Sequence, residues 1–120
     1  MAAHPVVVVE FARKSCVNCV WLAPAYAHMA GLMRGWKDGV PLAMADVDAS
    51  PGLPLRYPIQ HLPTFYVLEG NSTTKLTMNE GLNWINNRLP LSLRVKSSDQ
   101  LPWGDVPQAE GLKRKMIFNS

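Results

Sequence analysis

Cysteine is scarce in this chain: 120 residues contain two, Cys16 and Cys19. A single pair three positions apart cannot form the multi-bridge framework of a small secreted domain, so a disulfide scaffold is excluded. Histidine is nearly as thin. His4, His28 and His61 show neither the close histidine spacing nor the second CxxC that a zinc module needs, so no metal or bound cofactor is expected. Long apolar runs are also lacking. Val6-Val7-Val8-Val9 falls far short of the roughly 20 residues of a membrane span, and Met1 to Val9 has no basic leader or cleavage site. Neither a transmembrane helix nor a signal peptide is expected from these residues.

What is present suits one globular domain: 48% hydrophobic against 18% charged residues is a balance that buries a single core. The net charge of +3 comes partly from Lys113-Arg114-Lys115 near the end of the chain. This basic run lacks interleaved aromatics and reads as a solvated tail, not a nucleic-acid site.

Val6-Val7-Val8-Val9-Glu10-Phe11 is a β-branched run with almost no polar break, the pattern of a central strand covered on both faces. From Cys16 to Arg34, Trp21, Leu22, Ala25, Met29, Leu32 and Met33 recur at helical spacing, with Pro24 inside and Gly35 near the stop. Leu42 to Val47 is a second strand, making a βαβ unit. Ser50 to Tyr57 is irregular or a single helical turn, and Thr64 to Leu68 is a third strand. Gly70-Asn71 then supplies a turn into Lys75-Leu76-Thr77-Met78, a hairpin partner. Leu82, Ile85 and Leu89 mark a last helix, ending at Pro90. The domain is expected over residues 1–90, with 91–120 a linker or disordered tail. Trp21, Trp36, Trp84 and the methionines of the first helix read as packing residues, and His28 as helix surface.

The CxxC carries the chemistry. Its spacing alone admits a redox pair, half of a zinc site, part of a cluster site or coincidence. As a redox pair it has a clear logic, because the attacking species is a thiolate and a helix N-terminus favours negative charge. Cys16 falls at the first turn, with Arg13 and Lys14 beside it. Cys19 lies one turn inward, near enough to attack a mixed disulfide formed on Cys16.

Four further segments, in order and spacing, resemble the thioredoxin superfamily, and its protein disulfide isomerase domains in particular. Val8-Val9-Glu10-Phe11 stands before the CxxC as that family's strand does, and Cys19-Val20-Trp21-Leu22-Ala23-Pro24-Ala25-Tyr26 is similar to the isomerases' C-K-x-L-A-P-x-Y. Asp46-Val47-Asp48 through Gly52 to Tyr57 resembles a thioredoxin stretch, Leu62-Pro63-Thr64-Phe65 the cis-proline loop, and Glu80-Gly81-Leu82 the start of the last helix. The resemblance covers about Val6 to Leu89. It implies an α/β, thioredoxin-like fold of three α/β/α layers around a central mixed sheet. With only nine residues before Glu10, the usual first strand and helix are missing, which leaves one strand newly exposed at an edge.

The resemblance further implies a thiol-disulfide oxidoreductase acting on protein thiols and disulfides, with Cys16 as nucleophile and Cys19 as resolving cysteine. Glu10 would be the proton acceptor for Cys19, its pKa raised by burial. Leu62, Pro63 and Thr64 would meet substrate, with His61 facing the same site. Several residues depart from the family pattern. Ser15 replaces a tryptophan, Val17-Asn18 carries no charge between the cysteines, and Asp46 replaces a lysine near the buried acid, which would raise Glu10 further. The uncharged Val17-Asn18 suggests a less oxidising potential than that of isomerase domains. Ser15, Asp46 and the short N-terminal segment favour the alternative of a catalytically weak binding module docking partners through the Pro63 loop. Asn71-Ser72-Thr73 is a glycosylation sequon on an expected turn. It fits an endoplasmic reticulum lumen location if the chain is part of a longer isomerase-like protein; otherwise a cytoplasmic one is expected.

Overall fold

In the computed structural model, which describes residues 5–107, 111 and 116–118, the β-branched run forms β1 (Val6–Ala12). It is followed by α1 (Val17–Arg34), β2 (Leu42–Asp46), α2 (Leu53–Arg56), β3 (Thr64–Glu69), β4 (Ser72–Leu76) and α3 (Met78–Arg88). The four strands form one sheet in the order β2-β1-β3-β4. β1 pairs parallel with β2 and antiparallel with β3, and β3 pairs antiparallel with β4, so the sheet is mixed.

Strand β1 is apolar except for Glu10 because both its faces are covered. Val8 packs with Trp21, Leu22 and Met29 of α1, with Phe65 and Val67 of β3 and with Leu82 and Ile85 of α3. Phe11 lies on the other face with Val47 and Tyr66, against Leu53, Tyr57, Ile59 and Leu62 from α2 and the loop after it. These are the three expected layers. The helix-spaced apolar residues of α1 are buried as the pattern required, whereas His28 is exposed on its outer surface.

The hairpin differs from expectation at its far end. Gly70, with φ of 59°, takes the left-handed backbone that a two-residue connection needs, and Glu69 pairs with Ser72 across it. The strand then stops at Leu76, earlier than Met78. Thr77 caps α3 by accepting the Glu80 N–H, while the Glu80 carboxylate accepts the Thr77 N–H. This Thr-Met-Asn-Glu capping box draws Met78 into the helix.

The stretch expected as linker or tail carries core residues instead. Val95, Leu101 and Met116 are buried in the main core, and Trp103 stacks on Trp21 with ring centroids 4.0 Å apart. The periodicity signal failed here because the segment follows no helix or strand for long. It is held by single contacts: Asn86 clamps the Val95 backbone through both its N–H and its carbonyl, at 2.8 Å each. Gly104 gives the segment a second anchor, beside the turn of α1 that contains Pro24. A proline inside a helix has no N–H for the carbonyl four residues earlier, here Val20. Gly104 sits against that turn and donates to the Trp21 carbonyl at 2.7 Å. The basic run Lys113-Arg114-Lys115 lies outside the described residues.

Among the described residues, β2 is an edge strand of the sheet. Pro41 and Val47 bond to β1 through their backbones, so the alternate residues Leu42, Met44 and Asp46 turn theirs outward, and the Met44 side chain is 63% exposed. Met44→Lys should reduce concentration-dependent self-association, measured by light scattering, because a charge on an open edge opposes pairing with another strand. Gly104→Ala should cost about 1–3 kcal/mol in urea denaturation, since a Cβ there would lie 2.5 Å from the Val20 carbonyl oxygen.

Candidate functional site

β1 ends at Ala12, and a short turn in which the Cys16 N–H bonds to the Arg13 carbonyl carries the chain into α1. Cys16 is the residue that caps this helix. Its sulfur accepts the Cys19 N–H at 3.1 Å, and the two cysteines are joined as a disulfide with Cα atoms 5.2 Å apart. The pair is asymmetric, as the spacing suggested: Cys16 is half-buried, whereas Cys19 is 5% exposed. The cationic flank is weaker than the sequence implied. Arg13 is engaged by Asp48 at 3.0 Å, which leaves Lys14 as the neighbouring exposed cation without an ion pair among the described residues.

Glu10 projects from the same face of β1 as Val8, toward α1, and is 1% exposed. Neither carboxylate oxygen has a hydrogen-bond partner among the described residues. Burial accordingly pushes its pKa up from 4.5 to about 7. The expected contribution of Asp46 is not found, because desolvation is the cause of the shift. Asp46 pairs in register with Ala12, beyond Glu10 along the strand, and its carboxylate accepts the Asp48 N–H at 2.8 Å. That bond ties it to the loop after β2.

Tyr26 is a neighbour of the buried acid that sequence reasoning did not single out. Its hydroxyl donates to the Ala43 carbonyl at 2.6 Å. Burial first, and then the charge of Glu10, raise its pKa, opposed by a hydrogen bond with the Glu10 backbone. The available signal was its place seven residues after Cys19, two turns along the same buried helical stripe.

The peptide bond before Pro63 is cis. Pro63 and Thr64 are buried, Leu62 is half-buried and His61 is exposed, with the Thr64 hydroxyl bonded to the His61 carbonyl. Asn18, between the cysteines, shares the walls of two grooves with Gln60, His61 and Leu62. One, of about 470 Å³, continues past Pro63 and Thr64 to β4 and the start of α3. The other, of about 940 Å³, runs between Arg13 and Asp48 toward Pro51 and Pro54. The structure thus brings His61, Leu62, Pro63 and Thr64 to the first turn of α1. Among the described residues, no three His, Cys, Asp or Glu side chains are grouped to hold a metal ion; His4 lies outside those residues.

A thioredoxin family model matches residues 1–86. The chain belongs to the thioredoxin family. Its sequence relatives include the protein disulfide-isomerase erp38 of Neurospora crassa, 31% identical over 96 residues, an alignment covering 75% of this chain and 26% of that protein. The protein disulfide-isomerase of Oryctolagus cuniculus is 28% identical over 95 residues, covering 73% of this chain and 19% of the relative. This thioredoxin-family chain therefore spans about a quarter or less of those two proteins. Among solved structures, the first thioredoxin domain of mouse protein disulfide-isomerase A4 superposes with a TM-score of 0.59 at 19% identity, over 72% of this chain and 65% of the other. The thioredoxin of Fasciola hepatica gives a TM-score of 0.55 at 22% identity, over 62% and 69%. Among the described residues of this thioredoxin domain, no helix is long and apolar enough to cross a membrane.

The Glu10 shift makes stability depend on pH. Its pKa is higher folded than unfolded, so folding favours the protonated acid. That contribution is complete below about pH 4.5 and is lost as pH rises through 7. Urea denaturation should show a loss of up to about 3 kcal/mol across this window, and Glu10→Gln should flatten the profile.

Proposed function

We propose that this domain exchanges thiols and disulfides with other polypeptides. The observation that carries the reading is the Cys16–Cys19 disulfide at the N-terminus of α1, on a sheet that buries an unpartnered carboxyl at Glu10. In the reducing direction, the Cys16 thiolate attacks one sulfur of a substrate disulfide. A mixed disulfide forms and the other substrate sulfur leaves as a thiolate. Cys19 then gives its proton to Glu10 and attacks the Cys16 sulfur, displacing the second substrate sulfur. The domain ends as the Cys16–Cys19 disulfide and the substrate as two thiols; the reverse sequence oxidises a substrate dithiol. A carboxyl whose pKa stands at about 7 suits this role, because it takes and returns a proton near neutral pH.

In this reading Leu62, Pro63 and Thr64, with His61 at the rim, receive the substrate segment along the groove they line. Extended-strand pairing with backbone groups would supply affinity with little dependence on sequence. The second reading, a weakly active binding module docking through the same loop, is favoured by the small Ser15 beside Cys16 and by Asp46 in the place of a lysine. The uncharged Val17-Asn18 between the cysteines supports a couple less oxidising than that of isomerase domains. An oxidising compartment would preserve the disulfide. Asn71 is exposed on the hairpin turn, where a lumenal chain would present it for glycosylation.

Equilibration with glutathione buffers decides between the readings. The oxidoreductase should titrate as one dithiol–disulfide couple, and Cys19→Ser should accumulate a persistent mixed disulfide on Cys16, identified by mass spectrometry. Glu10→Gln should slow release from the mixed disulfide at pH 7 by about a hundredfold. An unreactive Cys16 would leave the binding module.

A further inference from the structure

The groove beside the Pro63 loop has one wall that the redox reading leaves without a role. Across from Pro63 and Thr64 stand Lys75 on β4 and Thr77 and Glu80 at the start of α3, around a space of about 470 Å³. β4 pairs antiparallel with β3, Lys75 opposite Tyr66, so this wall is built on a hydrogen-bonded strand. Lys75 is exposed and its ammonium donates to the side-chain oxygen of Gln60, a neutral partner. That contact orients the cation without cancelling its charge.

The other charged groups of the site are already engaged. The Glu80 carboxylate closes the capping box of α3 by accepting the Thr77 N–H at 2.9 Å, and it lies at the end of the helix that favours negative charge. In the adjoining groove Arg13 and Asp48 neutralise each other. His61 lies exposed where the two grooves meet. What faces an incoming segment along the Pro63 groove is a cation held ready by an amide, while the Glu80 carboxylate, bonded to a neutral N–H, keeps its charge at the cap of α3.

We propose that Lys75 is a specificity-determining residue, selecting polypeptide substrates that carry a carboxylate side chain within a few residues of the reacting cysteine. The assignment rests on the thiol–disulfide reading above and names the substrate class for that site. The occupant is an extended substrate segment, seated in the groove next to the CxxC, and its acidic side chain complements the uncancelled charge of Lys75. An exposed pair of this kind alters the rate modestly and yields to salt.

The test uses three otherwise identical cysteine peptides, flanked by Glu, Gln or Lys, each joined to a chromogenic aromatic thiol as a mixed disulfide. The pre-reduced protein attacks the peptide sulfur through Cys16, forming a new S–S bond while the aromatic thiolate leaves and is read by absorbance. Cys19 then displaces the peptide thiolate, so one protein dithiol is oxidised and one substrate disulfide reduced. At low ionic strength the Glu-flanked peptide should react about fivefold faster than the Lys-flanked one. Lys75→Gln should bring the ratio close to one and Lys75→Glu should invert it. In 1 M salt, where screening acts over about 3 Å, the preference should disappear. Circular dichroism and melting curves establish that both variants are folded. Equal wild-type rates for the three peptides, or a preference that survives Lys75→Glu, would overturn the assignment while leaving the redox reading intact. No reaction with any of the three would overturn both.

Discussion

Burying a carboxyl group in an apolar layer removes its water, and unless hydrogen bonds replace that water the group resists ionising and draws on the stability of the packing around it. Glu10 is in this position, with both oxygens unpartnered among the described residues. The arrangement around it follows from the need to hold that group in place. β1 is flanked by strands on both sides and by apolar layers on both faces, and α1 lies across it with Trp21, Leu22, Ala25 and Met29 fully buried. The same packing buries Cys19, one turn into α1, and keeps Glu10 protonated up to about pH 7.

The segment after α3 reinforces this layer. Gly104 donates to the Trp21 carbonyl, and Trp103 stacks on Trp21. Residues after Pro90 are thus part of the packing that steadies the cysteine-bearing helix. The opposite side of the sheet is less well defended. α2 is a single turn, and β2 offers an open edge whose Ala43 and Met44 are exposed. Stability is concentrated under α1 and α3, and the loops that would meet substrate lie at the end of the sheet where β1 gives way to α1.

Much of the fold was legible because its strongest elements carry local signals. A continuous β-branched run marked β1, aromatic and branched residues marked β3, period-3.6 patterns marked α1 and α3, and the Gly70-Asn71 turn marked the hairpin. The end of β4 was misread for want of the capping box at Thr77, a local signal that was present. The site was legible in part. The spacing of Cys16 and Cys19 and the isolated acid in an apolar strand were visible as residues. Pairings that join distant positions were not: Arg13 with Asp48, Lys75 with Gln60, Tyr26 beside Glu10 and the grip of Asn86 on Val95 depend on how elements are brought together.

By itself the sequence determined the element order, the cysteine pair at a helix start and the presence of a carboxyl in a strand too apolar to leave in water, because each follows from neighbours within a few residues. Tertiary structure decided which charges near the cysteines are cancelled and which are free. It also decided that burial, not Asp46, raises the Glu10 pKa, and that the residues after Pro90 join the core. Charge cancellation, desolvation and close approach are distances across space, and they exist only once the chain has folded.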